Sequence, residues 1–197
     1  MNEEYRERRP DHSSWELSRL VSEAQRGDES AFEEIYERFA KRVFKYALVG
    51  LGEYQAAEDA TSEVFLGLVR NIAAFEWRGE GSFEAWLFRI AYNVVMSERR
   101  RRIRKPADLF ERAEDIPLPE NARSAEAEAI ESDGLGELWA RVAKMPEAYI
   151  QVLSLRFLEG LSTEQTGAVM GRSAGAVRVL QHRTLKALQR ELKGLLV

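Results

Sequence analysis

YIQVLSLRFLEGLSTEQTGAVMGRSAGAVRVLQHRTLKALQREL (Tyr149–Leu192) reads as helix, turn, helix, turn, helix. Ile150, Val152, Leu153, Leu155 and Phe157 supply the apolar face of the first helix, and Gly160 ends it. Ser162 and Gln165 form an S-x-x-Q capping box for a short second helix, which Gly171 ends. Ser173 opens the third, because its hydroxyl can satisfy an orphan backbone N–H two or three residues on. At about 100° per residue, Val177, Leu180, Gln181, Thr184, Ala187 and Leu188 fall on one side of that helix. Arg178, Val179, His182, Arg183, Lys186 and Arg190 fall on the other. Alone, such a basic face is either an ordinary solvated surface or a surface for a DNA groove. The short helix and tight turn before it complete a helix-turn-helix pattern, whose last helix lies in the major groove. A three-helix bundle with no DNA role is the alternative that pattern alone leaves standing.

Composition narrows the choice. Hydrophobic residues make up 45% of the 197, enough to bury a core in one or two domains. The chain has no cysteine, which removes disulfides and thiolate zinc sites and fits a reducing cytoplasm. Its only histidines, His12 and His182, leave no basis for a histidine metal site. No apolar run reaches the roughly 18 residues of a membrane span, and the polar start MNEEYRERRPDHSSWE is not a secretory signal. The formal charge of −4 argues against a chain that coats DNA unaided, but the charge is segregated. SERRRRIRK (residues 97–105) holds six basic residues in nine, whereas residues 108–137 are strongly acidic with only Arg112 and Arg123 as cations.

Four helical blocks precede the acidic strip: Trp15 to Arg26, ended by Gly27 and Asp28; Glu29 to Val49, broken by Gly50 and Gly52; Glu53 to Phe75; and Ser82 to about Arg104, stopped by Pro106. The second carries Phe32, Ile35, Tyr36, Phe39, Val43, Phe44, Ala47 and Leu48 at helical spacing. The third carries Ala57, Ala60, Val64, Phe65, Leu68 and Ile72, and the fourth Trp86, Leu87, Ile90, Val94 and Val95. No strand pattern or repeat is present. The expected fold is all-α in two lobes, at residues 15–105 and 135–197. A disordered N-terminus (1–14) precedes them and a flexible acidic linker (106–134) joins them.

Four stretches in this order resemble a known family: AFEEIYERFAKRVFKYA, AAEDATSEVFLGLVRN, RGEGSFEAWLFRIAYNVVMSERRRR and MPEAYIQVLSLRFLEGLSTEQTGAVMGRSAGAVRVLQHRTLKAL. The chain is similar to the bacterial RNA polymerase sigma factors of the extracytoplasmic-function class, whose regions 2 and 4 are helical domains joined by a linker. The resemblance covers about residues 28–103 and 135–192.

It implies that Glu58, Asp59, Ser62 and Glu63 dock on the clamp of the polymerase β′ subunit, with Ser62 where the family commonly has glutamine. It implies that Trp77, Arg78, Ser82, Trp86, Arg89 and Asn93 handle the melted −10 promoter element, with Arg99, Arg100, Arg101 and Arg102 on phosphates. In the C-terminal lobe, Ser173, Arg178, Val179, His182, Arg183 and Lys186 match the positions that read the −35 element as duplex. Val179 and Leu180 are aliphatic where the family often has a small polar residue or arginine, which suggests apolar contact with a thymine methyl. Gly167 stands where alanine is commoner and is expected to loosen its helix by somewhat under ~1 kcal/mol. The linker is expected to thread a polymerase channel that later carries RNA. The partners implied are core polymerase (β′ and β), promoter DNA and an anti-sigma factor, with no cofactor, no metal and no membrane insertion.

Two other readings compete. A free-standing helix-turn-helix regulator predicts tight DNA binding without polymerase, usually as a dimer, and no dimer seam is evident. The other is an all-helical adaptor or enzyme, of which the enzyme lacks support: the sequence offers no nucleophile–base pair or metal cluster, and GEG (79–81) is too short to cradle a nucleotide.

Overall fold

The computed structural model describes residues 16–104, 142 and 145–193. The expectations placed on residues 1–14 and 106–134 lie outside them. All regular structure among the described residues is helical, as the periodicity predicts. Helix α1 is Leu17–Gln25, α2 Glu29–Leu51, α3 Tyr54–Asn71 and α4 Ser82–Arg104, with a 3-10 turn at Ile72–Ala74 between the last two. The second lobe holds α5 (Glu147–Leu153), α6 (Thr163–Met170) and α7 (Ala174–Lys193).

The N-terminal lobe is a bundle in which α2 packs against α1, α3 and α4. Asp28 caps α2 by accepting from Ser30 N and Ala31 N at 2.9 and 3.1 Å. Gly52, in the left-handed region at φ 72°, closes that helix. Gly50 does not break it, contrary to expectation. It is buried within α2, and a Cβ there would lie 2.7 Å from Val95 Cγ1, so its role is close approach to α4. Tyr36 also departs from the predicted core. It is 51% exposed, with its ring against Phe65, while Tyr46, which the spacing missed, is buried. Gln25 Nε2 donates to Ile72 O and Phe75 O at 2.9 and 2.7 Å, which pins the chain where it leaves α3.

In the C-terminal lobe the predicted capping box is present in both directions between Ser162 and Gln165. Ser173 Oγ accepts from Ala176 N at 3.2 Å, as expected of a cap. The first helix of the motif differs from its prediction. After Leu153 the backbone widens into a π turn, Ser154–Leu158, with Glu159 N donating to Ser154 O at 3.0 Å. The extra residue in that turn carries Phe157 to the surface, where it is 53% exposed, and brings Glu159 inward instead.

The lobes are not separate bodies. α6 lies along α4, and α5 meets α2. Val152, Leu155, Leu161, Val169 and Met170 belong to the same buried cluster as the N-terminal core. A lobe this small covers little of its own apolar surface, and docking on a neighbour removes the rest from water.

Gly167 also has a role its helix propensity does not show. A Cβ there would lie 2.5 Å from Arg172 O, in the turn that joins α6 to α7. Gly167 O in turn accepts from Arg172 N at 2.8 Å. The glycine lets the turn fold back onto the helix, so the loosening expected of it is outweighed. Gly167→Ala is predicted to destabilise the protein by about 1–3 kcal/mol in thermal or urea denaturation, although alanine is the better helix former. Gly67→Ala, whose methyl would meet the Ile90 side chain at 3.0 Å, changes stability by less than about 1 kcal/mol.

Candidate nucleic-acid interface

On α7 the two predicted sides separate as expected. Val177 and Thr184 are fully buried, while Leu180, Gln181, Ala187 and Leu188 are partly buried against the lobe. Arg156 holds the helix in place: its Nε donates to Gln181 Oε1 at 3.1 Å and its guanidinium also donates to Leu161 O. Arg178, Val179, His182, Arg183 and Lys186 are therefore all exposed on one continuous outer face, with Ser173 exposed at its start. Glu164, in the first turn of α6, faces Arg178 at 3.8 Å. Hydrogen bonds hold the Glu164 carboxyl below its ordinary value, first from its own backbone N–H and then from Thr163. An exposed pair of this length is worth little in water and exchanges readily for a phosphate or base edge.

The loop between α3 and α4 is organised by Ser82. Its Oγ donates to Gly79 O at 2.6 Å and accepts from Arg78 N at 3.2 Å. Arg78 itself pairs with Glu76 at 3.0 Å in full view of solvent. Trp77 is 41% exposed and rests edge-on against Phe75. Trp86 is half-buried and tilts against Phe75 and Phe83 at 5.0 and 5.8 Å. The two tryptophans thus share Phe75: Trp86 packs, and Trp77 is the more exposed of the two. Arg89 and Asn93 are exposed one turn apart on α4, but Arg89 NH1 donates to Ala168 O of the other lobe at 2.9 Å.

The arginine run at the end of α4 is more committed than its composition suggests. Arg99 donates to Gly50 O and lies 3.8 Å from Glu147. Arg101 pairs with Glu98 at 2.8 Å, and Arg102 with Glu98 and Glu53 at 3.1 and 2.8 Å. Hydrogen bonds from Arg101 and then Arg102 hold the Glu98 carboxyl below its ordinary value, against its partial burial. Arg100 is exposed. Arg101 is 73% exposed despite its partner, so phosphate can compete for it.

A third surface lies on α3. Glu58, Asp59, Ser62 and Glu63 are all exposed, opposite buried Ala57, Ala60, Thr61 and Val64. The sequence reading stopped at Glu63. Leu66 and Val69, 54% and 55% exposed, continue the same helical face, which therefore changes from acidic to apolar along its length. The spacing of Leu66, i+3 from Glu63 and i+4 from Ser62, and of Val69, i+3 from Leu66, was the available signal, but an aliphatic residue in a helix reads first as core.

Among the described residues there is no group of three or more histidine or acidic side chains placed to hold a metal, and no helix long and apolar enough to cross a membrane.

The Sigma-70 region 2 family model matches residues 35–105, and the Sigma-70 region 4 model residues 142–190. The chain is 35% identical over 188 residues to the ECF RNA polymerase sigma factor BldN of Streptomyces coelicolor, covering 94% of this chain and 70% of that one. It is 33% identical over 181 residues to the ECF RNA polymerase sigma factor SigD of Mycobacterium tuberculosis, covering 89% and 84%. In fold it is similar to the sigma factor RpoE of Bartonella quintana, solved in complex with the anti-sigma factor NepR, with a TM-score of 0.64 at 21% identity over 82% of this chain and 96% of that one. A second fold likeness is CnrH in complex with the cytosolic domain of CnrY, with a TM-score of 0.63 at 22% identity over 89% and 96%. Both lobes are matched in order, and relatives of this identity span the two together: the chain belongs to the extracytoplasmic-function (ECF) family of RNA polymerase sigma factors, the subunits that direct transcription initiation.

Proposed function

We propose that this sigma factor binds core polymerase through α3, reads the −35 element as duplex with α7, and captures the −10 element as a melted strand with the α3–α4 loop and α4. The observation that carries the duplex reading is the capped α7, whose inner side is locked by Val177, Thr184 and Arg156 while Arg178, Val179, His182, Arg183 and Lys186 stand together outside. Such a face suits a major groove, where Arg178 or Arg183 can pair with guanine and Val179 can meet a thymine methyl. For the melted strand, an exposed tryptophan against a rigid aromatic base offers a stacking platform, with Arg78 next to it in the loop and Arg89 and Asn93 exposed on the following helix for phosphate and base edges. Arg99 to Arg102 supply sequence-blind phosphate contacts once their internal partners are exchanged.

The acidic and apolar face on α3 has the opposite character. Carboxylates repel DNA and suit a basic protein partner, with Leu66 and Val69 to bury beside them. This favours the clamp of the β′ subunit there, with further contacts to β from the C-terminal lobe. Working with polymerase places the protein in the cytoplasm. By likeness to RpoE with NepR, an anti-sigma factor is a further partner. The free-standing regulator reading has no observation in its favour.

Transcription in vitro tests the whole. Purified chain added to bacterial core polymerase on a pool of genomic promoter fragments should produce new starts that share two upstream elements; unchanged starts would refute it. Asp59→Arg with Glu63→Arg, both on exposed sites, should leave the melting temperature almost unchanged and weaken core polymerase binding about tenfold or more. Arg178→Ala should cost about 1–3 kcal/mol and relax preference at one base pair of the upstream element. Lys186→Ala should weaken all sequences alike and lower the slope of log affinity against log salt by about 1.

A further inference from the structure

An acid stands at the edge of the face assigned to the duplex. Glu164 lies in the first turn of α6, and its Oε1 is 3.8 Å from NH1 of Arg178 on α7. Both side chains are exposed, and the α7 face beside the acid carries Arg178, His182, Arg183 and Lys186. A carboxylate there repels phosphate and so lowers the attraction for any DNA.

Arg178 does not set the position of this carboxylate. Glu164 Oε2 accepts from Thr163 Oγ1 at 3.0 Å, and the carboxyl also accepts from its own backbone N–H. Those bonds, ahead of Arg178, hold it below its ordinary value, so it is charged at neutral pH. The start of α6 is fixed in turn by Ser162 and Gln165, whose reciprocal bonds measure 2.7 and 3.1 Å. Buried Val177 and Thr184 fix α7, and Arg172 N donating to Gly167 O at 2.8 Å closes the turn between the two helices. Glu164 is therefore the anchored member of the pair, and Arg178 the movable one.

A guanidinium carries donors on more than one edge. One edge of Arg178 can face Glu164 while another pairs with O6 and N7 of guanine, which are uncharged acceptors. A phosphate is different. To reach it, Arg178 must either leave Glu164 or bring a second anion up to it. Both cost more beside DNA than in open water, because displaced water leaves each charge less screened. The pair, weak in the free chain, thus biases Arg178 toward a base edge and against the backbone.

We propose that Glu164 is a positioning residue for base selection: it holds the Arg178 guanidinium for a base edge and away from phosphate, which lowers general affinity for DNA and raises selectivity at the base pair that Arg178 reads. The proposal rests on the reading of α7 as the helix that enters the duplex.

The test uses the full chain assembled with core polymerase. The holoenzyme is bound to duplex promoters taken from mapped starts, with each position of the upstream element randomised in turn, and the bound and free pools are sequenced. Arg178→Ala marks the base pair that Arg178 reads. Glu164→Gln removes the charge and keeps the size of the side chain. It should reduce preference at that same base pair about threefold or more and leave the other positions unchanged. It should also tighten binding to sequences lacking the preferred base about two- to threefold, with a salt slope steeper by up to about 1. In the Arg178→Ala background, Glu164→Gln should change preference at no position, because its effect passes through Arg178. Loss of a favourable charge at the start of α6 would by itself weaken every sequence alike and leave the pattern of preference as it was. That result overturns the proposal, as does a change of preference that persists without Arg178. An Arg178→Ala chain that relaxes one base pair while Glu164→Gln relaxes none also overturns it, and leaves the duplex reading standing. If Arg178→Ala relaxes no base pair at all, that reading of Arg178 has failed and takes the proposal with it.

Discussion

Phe83, Leu87, Phe88, Ala91 and Val95 bury one side of α4 against the rest of the N-terminal core, and that burial sets the direction of every functional side chain near it. With Phe83 locked beneath Phe39 and Phe75, the loop before α4 leaves the core at a fixed point, and Trp77 has a rigid ring to lean on. Leu87 and Ala91 turned inward put Arg89 and Asn93 outward by helical geometry alone. The same helix offers its neighbouring side to α6. One packed helix therefore relates the proposed single-strand surface, the arginine run and the position of the helix-turn-helix lobe.

Charge follows a consistent plan on this scaffold. The chain is acidic overall, yet α7, the α3–α4 loop and the end of α4 each present exposed cations. Several of these cations already hold internal carboxylates, as Arg101 and Arg102 hold Glu98, and Arg78 holds Glu76. Exposed pairs of this kind cost little to break, but they lower the free chain's attraction for DNA at large. Glu58, Asp59 and Glu63 make the outer face of α3 acidic instead. Under the proposed function, a protein arranged this way takes affinity from its partner enzyme and selectivity from base contacts, and linkage of two modest contacts through one assembly supplies the rest.

Much of this was legible in the sequence where the physics is local. Ser162 with Gln165, Ser173 and the alternation along α7 each depend on residues three or four apart, and each stands as read. The outward set Glu58, Asp59, Ser62 and Glu63 was legible for the same reason. Phe157 was misplaced because a π turn shifts the register by one residue, and no side-chain pattern announces it. Tyr36 was misplaced because aromatic residues at core spacing also serve exposed faces. Gly50 and Gly167 read as weak points in helices, whereas each admits a neighbouring backbone or side chain that a methyl would strike. The seam between the lobes was not legible at all. Arg42 and Glu159 are 117 residues apart, and each alone looks like an ordinary surface charge.

The central claim is that one chain reads one DNA element paired and the other unpaired. Permanganate oxidises thymines that have left the stack, and mapping its reactivity along a promoter bound by this sigma factor and core polymerase tests the claim directly. The account predicts reactive thymines within and just downstream of the element nearer the start, and unreactive thymines throughout the upstream element beneath α7. Reactivity in both elements, or in neither while transcription proceeds, would contradict it.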